Sequence, residues 1–347
     1  MNSPTSARNT KPKSSLGKKF GIGCGTAVLV IILALTATVY FLGPTWGPLV
    51  AGKPVFMGNK SPQRYGNAVV SFSEKMGIYS DSPEFAEAKA RAKDAIAQAQ
   101  TTEELYPVLA DVARAAGGKH SKLLLPSEEA KAPSVEQDAP RQPGVDKRGN
   151  IAFATVPEIS RHDNGQAYAD AIAGGLDRAV KAGACGAIVD LRGNGGGDMG
   201  PMVAGLSPLL PDGPVLEFVS NFSTTPVYVE GNAVRGGGNP VTSFGGKVNI
   251  PTAVLVDEQT ASSGEATMLA FRGLDNSRSF GQPTAGYASA NMVIDYPDGS
   301  ALMLTMAKDK ARTGEVFAED PIQPDEVLPA DKAEKAAAAW LSKRGCN

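Results

Sequence analysis

The residues best suited to chemistry in this chain of 347 are a serine pair, a glycine run and two histidines. Residues 251–264 read PTAVLVDEQTASSG and lead directly into EATMLAFR. The Val-rich start reads as a buried strand that breaks at Asp257-Glu258-Gln259, and the small residues after it open a helical pattern. A strand, a tight turn and a helix together lift a serine hydroxyl to the end of a sheet and aim backbone N–H groups at whatever it attacks. Ser262 has Thr260 two places before it and Gly264 two places after, close to a nucleophile elbow without its first glycine. The plain alternative is a helix-capping role, since serine is favoured there. A serine is a weak nucleophile until a neighbouring base takes its proton, and imidazole suits that task. The two imidazoles are His120, in His120-Ser121, and His162, in Arg161-His162-Asp163-Asn164. Both fall on loops, where a histidine is most often a solvated side chain.

The glycine run is VDLRGNGGG, residues 189–197, a strand end followed by a loop. Glycine permits positive φ and removes the side chain that would hold another group away. A phosphate cradle does not fit: no lysine follows the run, and Asp198 takes the last position of G-x-G-x-x-G. What remains is an oxyanion hole, in which a loop N–H pairs with the N–H of Ser263, or a turn required only by the fold. Three consecutive glycines exceed what most turns require, which favours the hole. One such donor typically supplies ~3–4 kcal/mol of transition-state stabilisation. Asp190 and Arg192 read as braces for the loop.

These groups need elements to position them. The net charge of −2 gives no sign of a nucleic-acid partner. Two histidines and three cysteines (Cys24, Cys185, Cys346) show no ligand spacing, so neither a metal nor another cofactor is expected. Residues 1–19 carry five basic residues and no acid and read as a cytoplasmic tail. Residues 20–42 hold no charge, and a helix of that length is roughly 34 Å, enough to cross a bilayer core. The preceding lysines predict a cytoplasmic N-terminus, placing the rest of the chain outside the cytoplasm; a cleaved signal peptide is the competing reading.

Residues 43–125 are expected to form a small helical subdomain, with a connection over 43–79, a helix starting at Ser82-Pro83-Glu84, and another ending at Gly117-Gly118 just before His120. Residues 126–150 are polar and read as a linker. From 151 to 347, strand and helix patterns alternate, Pro297-Asp298-Gly299 marks a hairpin, and 331–343 read as a closing helix. That alternation predicts an α/β domain with a mostly parallel sheet.

DLRGNGGG, followed by TASSGE, with an isolated His-Ser upstream and FGQPTAG downstream, resembles the C-terminal processing (tail-specific) and tricorn-core serine peptidases across residues 120–327. The resemblance implies a ClpP/crotonase-like core and a peptide or protein substrate. It implies Ser262 as the nucleophile and Ser263 as one oxyanion donor, with Gly196 as the second. Tail-specific members carry a lysine base where this chain has Tyr287, so the Ser–Lys dyad is not supported. The tricorn-like branch implies His120 as the base, with Ser121 able to orient it, and Glu319, ahead of Pro324-Asp325, as the acid; His162 is the rival base. The interval 126–150 is too short for the PDZ domain that many members carry. Cys185 and Cys346 are the cysteines beyond the apolar segment, so a disulfide between them is expected outside the cytoplasm. The whole reads as a membrane-anchored extracytoplasmic serine peptidase. Its rivals are a non-catalytic ligand-binding relative of the same fold and a crotonase-like acyl-transfer enzyme.

Overall fold

The computed structural model describes residues 16–126 and 141–347. The basic segment 1–15 and residues 127–140 of the expected linker lie outside the described residues. The helices are α1 (Leu16–Ala51), α2 (Pro62–Met76), α3 (Pro83–Gln98), α4 (Tyr106–Gly117), α5 (Gly165–Lys181), α6 (Met199–Leu206), α7 (Ser263–Phe271) and α8 (Ala330–Lys343). The strands begin with β1 (Lys122–Leu124), β2 (Gly144–Arg148), β3 (Ile151–Thr155), β4 (Gly186–Asp190), β5 (Gly213–Val219), β6 (Thr224–Glu230) and β7 (Ala233–Arg235). They continue with β8 (Thr252–Val256), β9 (Ser277–Gly281), β10 (Ser289–Asp295), β11 (Ala301–Ala311), β12 (Val316–Phe317) and β13 (Glu326–Val327).

Two sheets are built from these strands, which corrects the expectation of one mostly parallel sheet. The first runs β13-β9-β8-β4-β3-β2 and is parallel except where β2 turns back along β3. The second runs β1-β11-β5-β6-β7, with β10 and β12 also on β11, and every pairing in it is antiparallel. The reason is local. Tight turns at Pro297-Asp298-Gly299 and at Gly231-Asn232 join successive strands directly, whereas parallel neighbours need a crossover of a dozen residues or more.

Side-chain alternation divides the parallel sheet into two faces. On β8, Ala253 and Leu255 meet Ala333, Ala337 and Leu341 of α8, while Val254 and Val256 face the larger core beneath α5, α6 and α7. A separate core joins α2, α3 and α4 to the antiparallel sheet through Leu123, Ile294, Leu302 and Leu304. Each fully buried Leu or Ile of these cores contributes ~1.5–3 kcal/mol.

Three segments depart from the sequence reading. The apolar helix does not stop at 42: α1 continues to Ala51 through Pro44 and Pro48. Residues Ala27–Ala51 are long and apolar enough to cross a membrane. The end of α1 is fastened to α2 by Arg64, which donates to the carbonyl of Tyr40 at 2.8 Å. The stretch read as a connection contains α2, whose start repeats the Ser-Pro signal used for α3: Ser61 accepts from the Arg64 amide at 3.3 Å, and Pro62 takes the first turn. Finally, residues 144–148 of the expected linker form the edge strand β2, with Val145 seated where Gly175 leaves room on α5.

Candidate active site

Strands β4 and β8 are parallel neighbours, with Asp190 opposite Leu255, so the chain leaves both at the same edge of the sheet. In open α/β sheets that edge is where ligands bind. The two departing loops are tied to each other. Both carboxylate oxygens of Asp257 accept from the Gly193 amide, at 3.0 and 3.1 Å. Thr260 donates its hydroxyl to the Leu191 carbonyl at 2.9 Å, and the Ala261 amide donates to the Asn194 carbonyl at 2.9 Å. Asp190 is buried and ion-paired to Arg192 at 2.7 Å and to Arg141 at 2.7 Å, fixing the root of the glycine loop.

Ser262 begins α7 in an unusual backbone conformation, φ 54 and ψ −118, and is the one non-glycine residue with positive φ among the described residues. Such a conformation costs ~1–3 kcal/mol and persists only where surroundings hold it. The holder is Glu265, which is fully buried. Its carboxylate accepts from the amides of Ser262 at 2.8 Å, Tyr287 at 2.7 Å and Gly286 at 2.9 Å, and from the hydroxyl of Thr284. Burial pushes this carboxyl above its ordinary range, and the four donors oppose that shift.

The glycine loop lies against the serine. Gly196 has φ +106, and a Cβ there would lie 2.8 Å from Cβ of Ser262, so only glycine fits. The Gly196 amide, named above as the second oxyanion donor, is already committed: it donates to Oδ1 of Asn194 at 2.9 Å. The reason is the short Asn194-x-Gly196 turn, in which the side chain reaches its own backbone two residues on. Gly195 and Gly197 line the cavity instead, and their amides have no hydrogen-bond partner among the described residues, nor does the Ser263 amide. The Ser263 hydroxyl donates to the Gly197 carbonyl at 2.7 Å, locking loop to helix.

His120 follows α4 and lines the same cavity of about 750 Å³ as Ser262, Ser263 and Tyr287. Its Nδ1 is hydrogen-bonded to the hydroxyl of Ser289 on β10 at 2.9 Å, which leaves Nε2 without a partner among the described residues. Tyr287 packs edge-on against the imidazole, with ring centroids 5.1 Å apart. Burial, helped by Lys122 and Lys119, lowers the His120 pKa to about 4. No hydrogen bond joins His120 to Ser262; such bonds are often long before substrate arrives and tighten afterwards.

Glu319 does not take the imidazole. Its carboxylate accepts from the amide of Lys119, and its carbonyl accepts from Lys119 Nζ at 2.9 Å, so it secures the turn that carries His120. Ser121 points away: its hydroxyl bonds Thr305 of β11, donating to Oγ1 at 3.1 Å and accepting from the amide at 2.9 Å. His162 is exposed beside Arg161 and is not a lining residue of the cavity. Ser289 and Glu265 were not singled out from sequence. Glu265 had a signal, the Ser-x-x-Glu spacing of a capping box. Ser289 had none, because it reaches His120 only through the register of a distant hairpin.

The Peptidase family S41 profile matches residues 150–328. The nisin-resistance protein of Lactococcus lactis subsp. lactis is 33% identical over 333 residues, 95% of this chain and 99% of that protein. The carboxy-terminal processing protease CtpA of Bacillus subtilis (strain 168) is 28% identical over 187 residues, 51% of this chain and 38% of that protein. Among solved structures, a lipoprotein from Streptococcus agalactiae superposes with a TM-score of 0.70 at 26% identity, covering 84% of this chain and 99% of that one. The photosystem II D1 C-terminal processing protease shares the fold, with a TM-score of 0.54 at 13% identity over 78% of this chain and 94% of that one. With the profile spanning the sheet edge, both tied loops and the serine turn, the chain belongs to peptidase family S41 and is a serine-type peptidase.

Proposed function

We propose that this peptidase is anchored by its N-terminal apolar helix, faces away from the cytoplasm, and cleaves peptide bonds through an acyl-enzyme on Ser262. The observation that carries the proposal is the one cavity lined by Ser262, His120 and three residues, Gly195, Gly197 and Ser263, whose amides have no partner among the described residues. Ser262 Oγ attacks the scissile carbonyl carbon while His120 Nε2 takes its proton. The developing oxyanion accepts from the amide of Ser263 and from the glycine loop through Gly195 or Gly197. Collapse breaks the C–N bond, and the proton on His120 passes to the leaving amine. Water, deprotonated by the same imidazole, then hydrolyses the ester. Ser289 fixes the ring through Nδ1, and Glu319 is a positioning residue that holds the turn before it.

The disulfide between Cys185 and Cys346 supports an oxidising compartment for the body of the chain. The relative named for nisin resistance makes nisin the first substrate to test. A fluorophosphonate should label the full-length chain in detergent, and labelling should vanish in Ser262→Ala. Labelling that survives in that variant disposes of the nucleophile assignment.

A further inference from the structure

The cavity that holds Ser262 is also lined by Met199, Phe218, Ala266 and Asp309 of β11. Among the described residues, two acids line this cavity. Asp198 is satisfied within the fold, its Oδ1 accepting from the amides of Gly200 at 3.1 Å and Asn239 at 2.9 Å. Asp309 differs: it is 1% exposed, and its Oδ1 has no hydrogen-bond partner among the described residues. Burial, with the negative charge of Glu265 nearby, pushes its carboxyl well above the ordinary range. A carboxyl left in this condition at a cavity wall lacks a donor that the fold does not supply.

Its neighbours indicate the donor. In the strand register Asp309 lies opposite Phe218 of β5 on one side and opposite Phe317 of β12 on the other. Directly opposite residues of an antiparallel pair share a face; Phe218 lines the cavity with Asp309, while the Phe317 ring already meets the Arg272 guanidinium at 5.7 Å. Aromatic faces attract cations and accept the methylene stem of a long basic side chain. Lys119 and Lys122 line the same cavity beside His120. A long basic side chain that reaches Asp309 supplies the donor that its carboxyl lacks.

We propose that the wall formed by Met199, Phe218, Ala266 and Asp309 is a side-chain subsite, and that Asp309 selects a lysine or arginine flanking the scissile bond. The assignment rests on the peptidase reading of Ser262. It is tested with the full-length chain in detergent on internally quenched peptides that differ in one residue beside the cleaved bond: lysine against norleucine, and arginine against citrulline. On one side of that bond the charged member should have a kcat/KM about 10-fold higher or more, and Asp309→Asn should bring the ratio to within about 2-fold. Equal rates on both sides in the wild type, or a preference that Asp309→Asn leaves standing, overturns the subsite. The same pairs are also bound to the Ser262→Ala chain by fluorescence anisotropy, which needs no turnover. If fluorophosphonate labelling fails, the nucleophile assignment falls. The subsite still stands if lysine binds more tightly than norleucine and loses that advantage in the Ser262→Ala, Asp309→Asn double variant. It falls if the two bind alike.

Discussion

His120 is held as a neutral imidazole. Its pKa is lowered to about 4, first by burial and then by Lys122 and Lys119, so protonation that would disable a base is postponed to acid pH. The acid limb of kcat/KM should therefore fall near pH 4, not at the ordinary histidine value of about 6.5. Lys122→Gln removes a repelling charge and should move that limb upward. A limb at the ordinary value, unmoved by the variant, would mean that the ring is solvated. Glu265 offers a second test. Glu265→Ala leaves the buried amides of Ser262, Gly286 and Tyr287 without an acceptor and should cost about 3 kcal/mol or more in urea unfolding, together with most of the activity. A variant as stable as the parent would contradict this bracing role. These residues also show what a sequence carries. Ser262 and His120 stand in recognisable short motifs. The partner of His120 and the burial of Asp309 depend on pairings across β10, β11, β5 and β12, which no local pattern encodes. Asp309 lies in the run AKDKA, where nothing in the sequence sets it apart from the half-buried lysines beside it.

Among the elements, the decisive arrangement is the pair of parallel strands β4 and β8, whose outgoing loops hydrogen-bond to each other. Their apolar runs made both strands legible, and alternation with helices made the parallel sheet legible. The antiparallel sheet was less so, because each of its hairpins is local while their assembly is not. The helix α2 was missed although Ser61-Pro62 carries the same start signal as Ser82-Pro83, since the scattered Gly and Pro upstream masked it. At the glycine loop, Gly196→Ala would place a methyl 2.8 Å from Cβ of Ser262 at φ +106. The expected result is a fall in kcat of about 100-fold or more, comparable to the loss of an oxyanion donor, while the melting temperature changes by only a few degrees. An alanine variant with parental kcat would mean that the loop does not bear on the serine.

For the molecule as a whole, the disulfide between Cys185 and Cys346 closes a loop with a sequence separation of 161 and fastens the end of α8 to the start of β4. Loop-closure entropy assigns a bridge of this span about 5 kcal/mol, with strain and residual structure lowering what is measured. Replacing both cysteines by serine should reduce the unfolding free energy by about 3–5 kcal/mol in a denaturant titration. An unchanged midpoint would show that α8 docks without the bridge. The longest strand, β11, takes part in both larger cores: Leu302 and Leu304 pack with the helical layer, and Ala311 packs beneath the parallel sheet. It also supports β10, which carries the hydroxyl partner of His120. The gap between base and nucleophile is thus a main-chain dimension, gauged by one stiff strand and not by the side chains that coat the cavity. Those walls are free to drift toward new peptides over evolutionary time without detuning the machinery that cuts them.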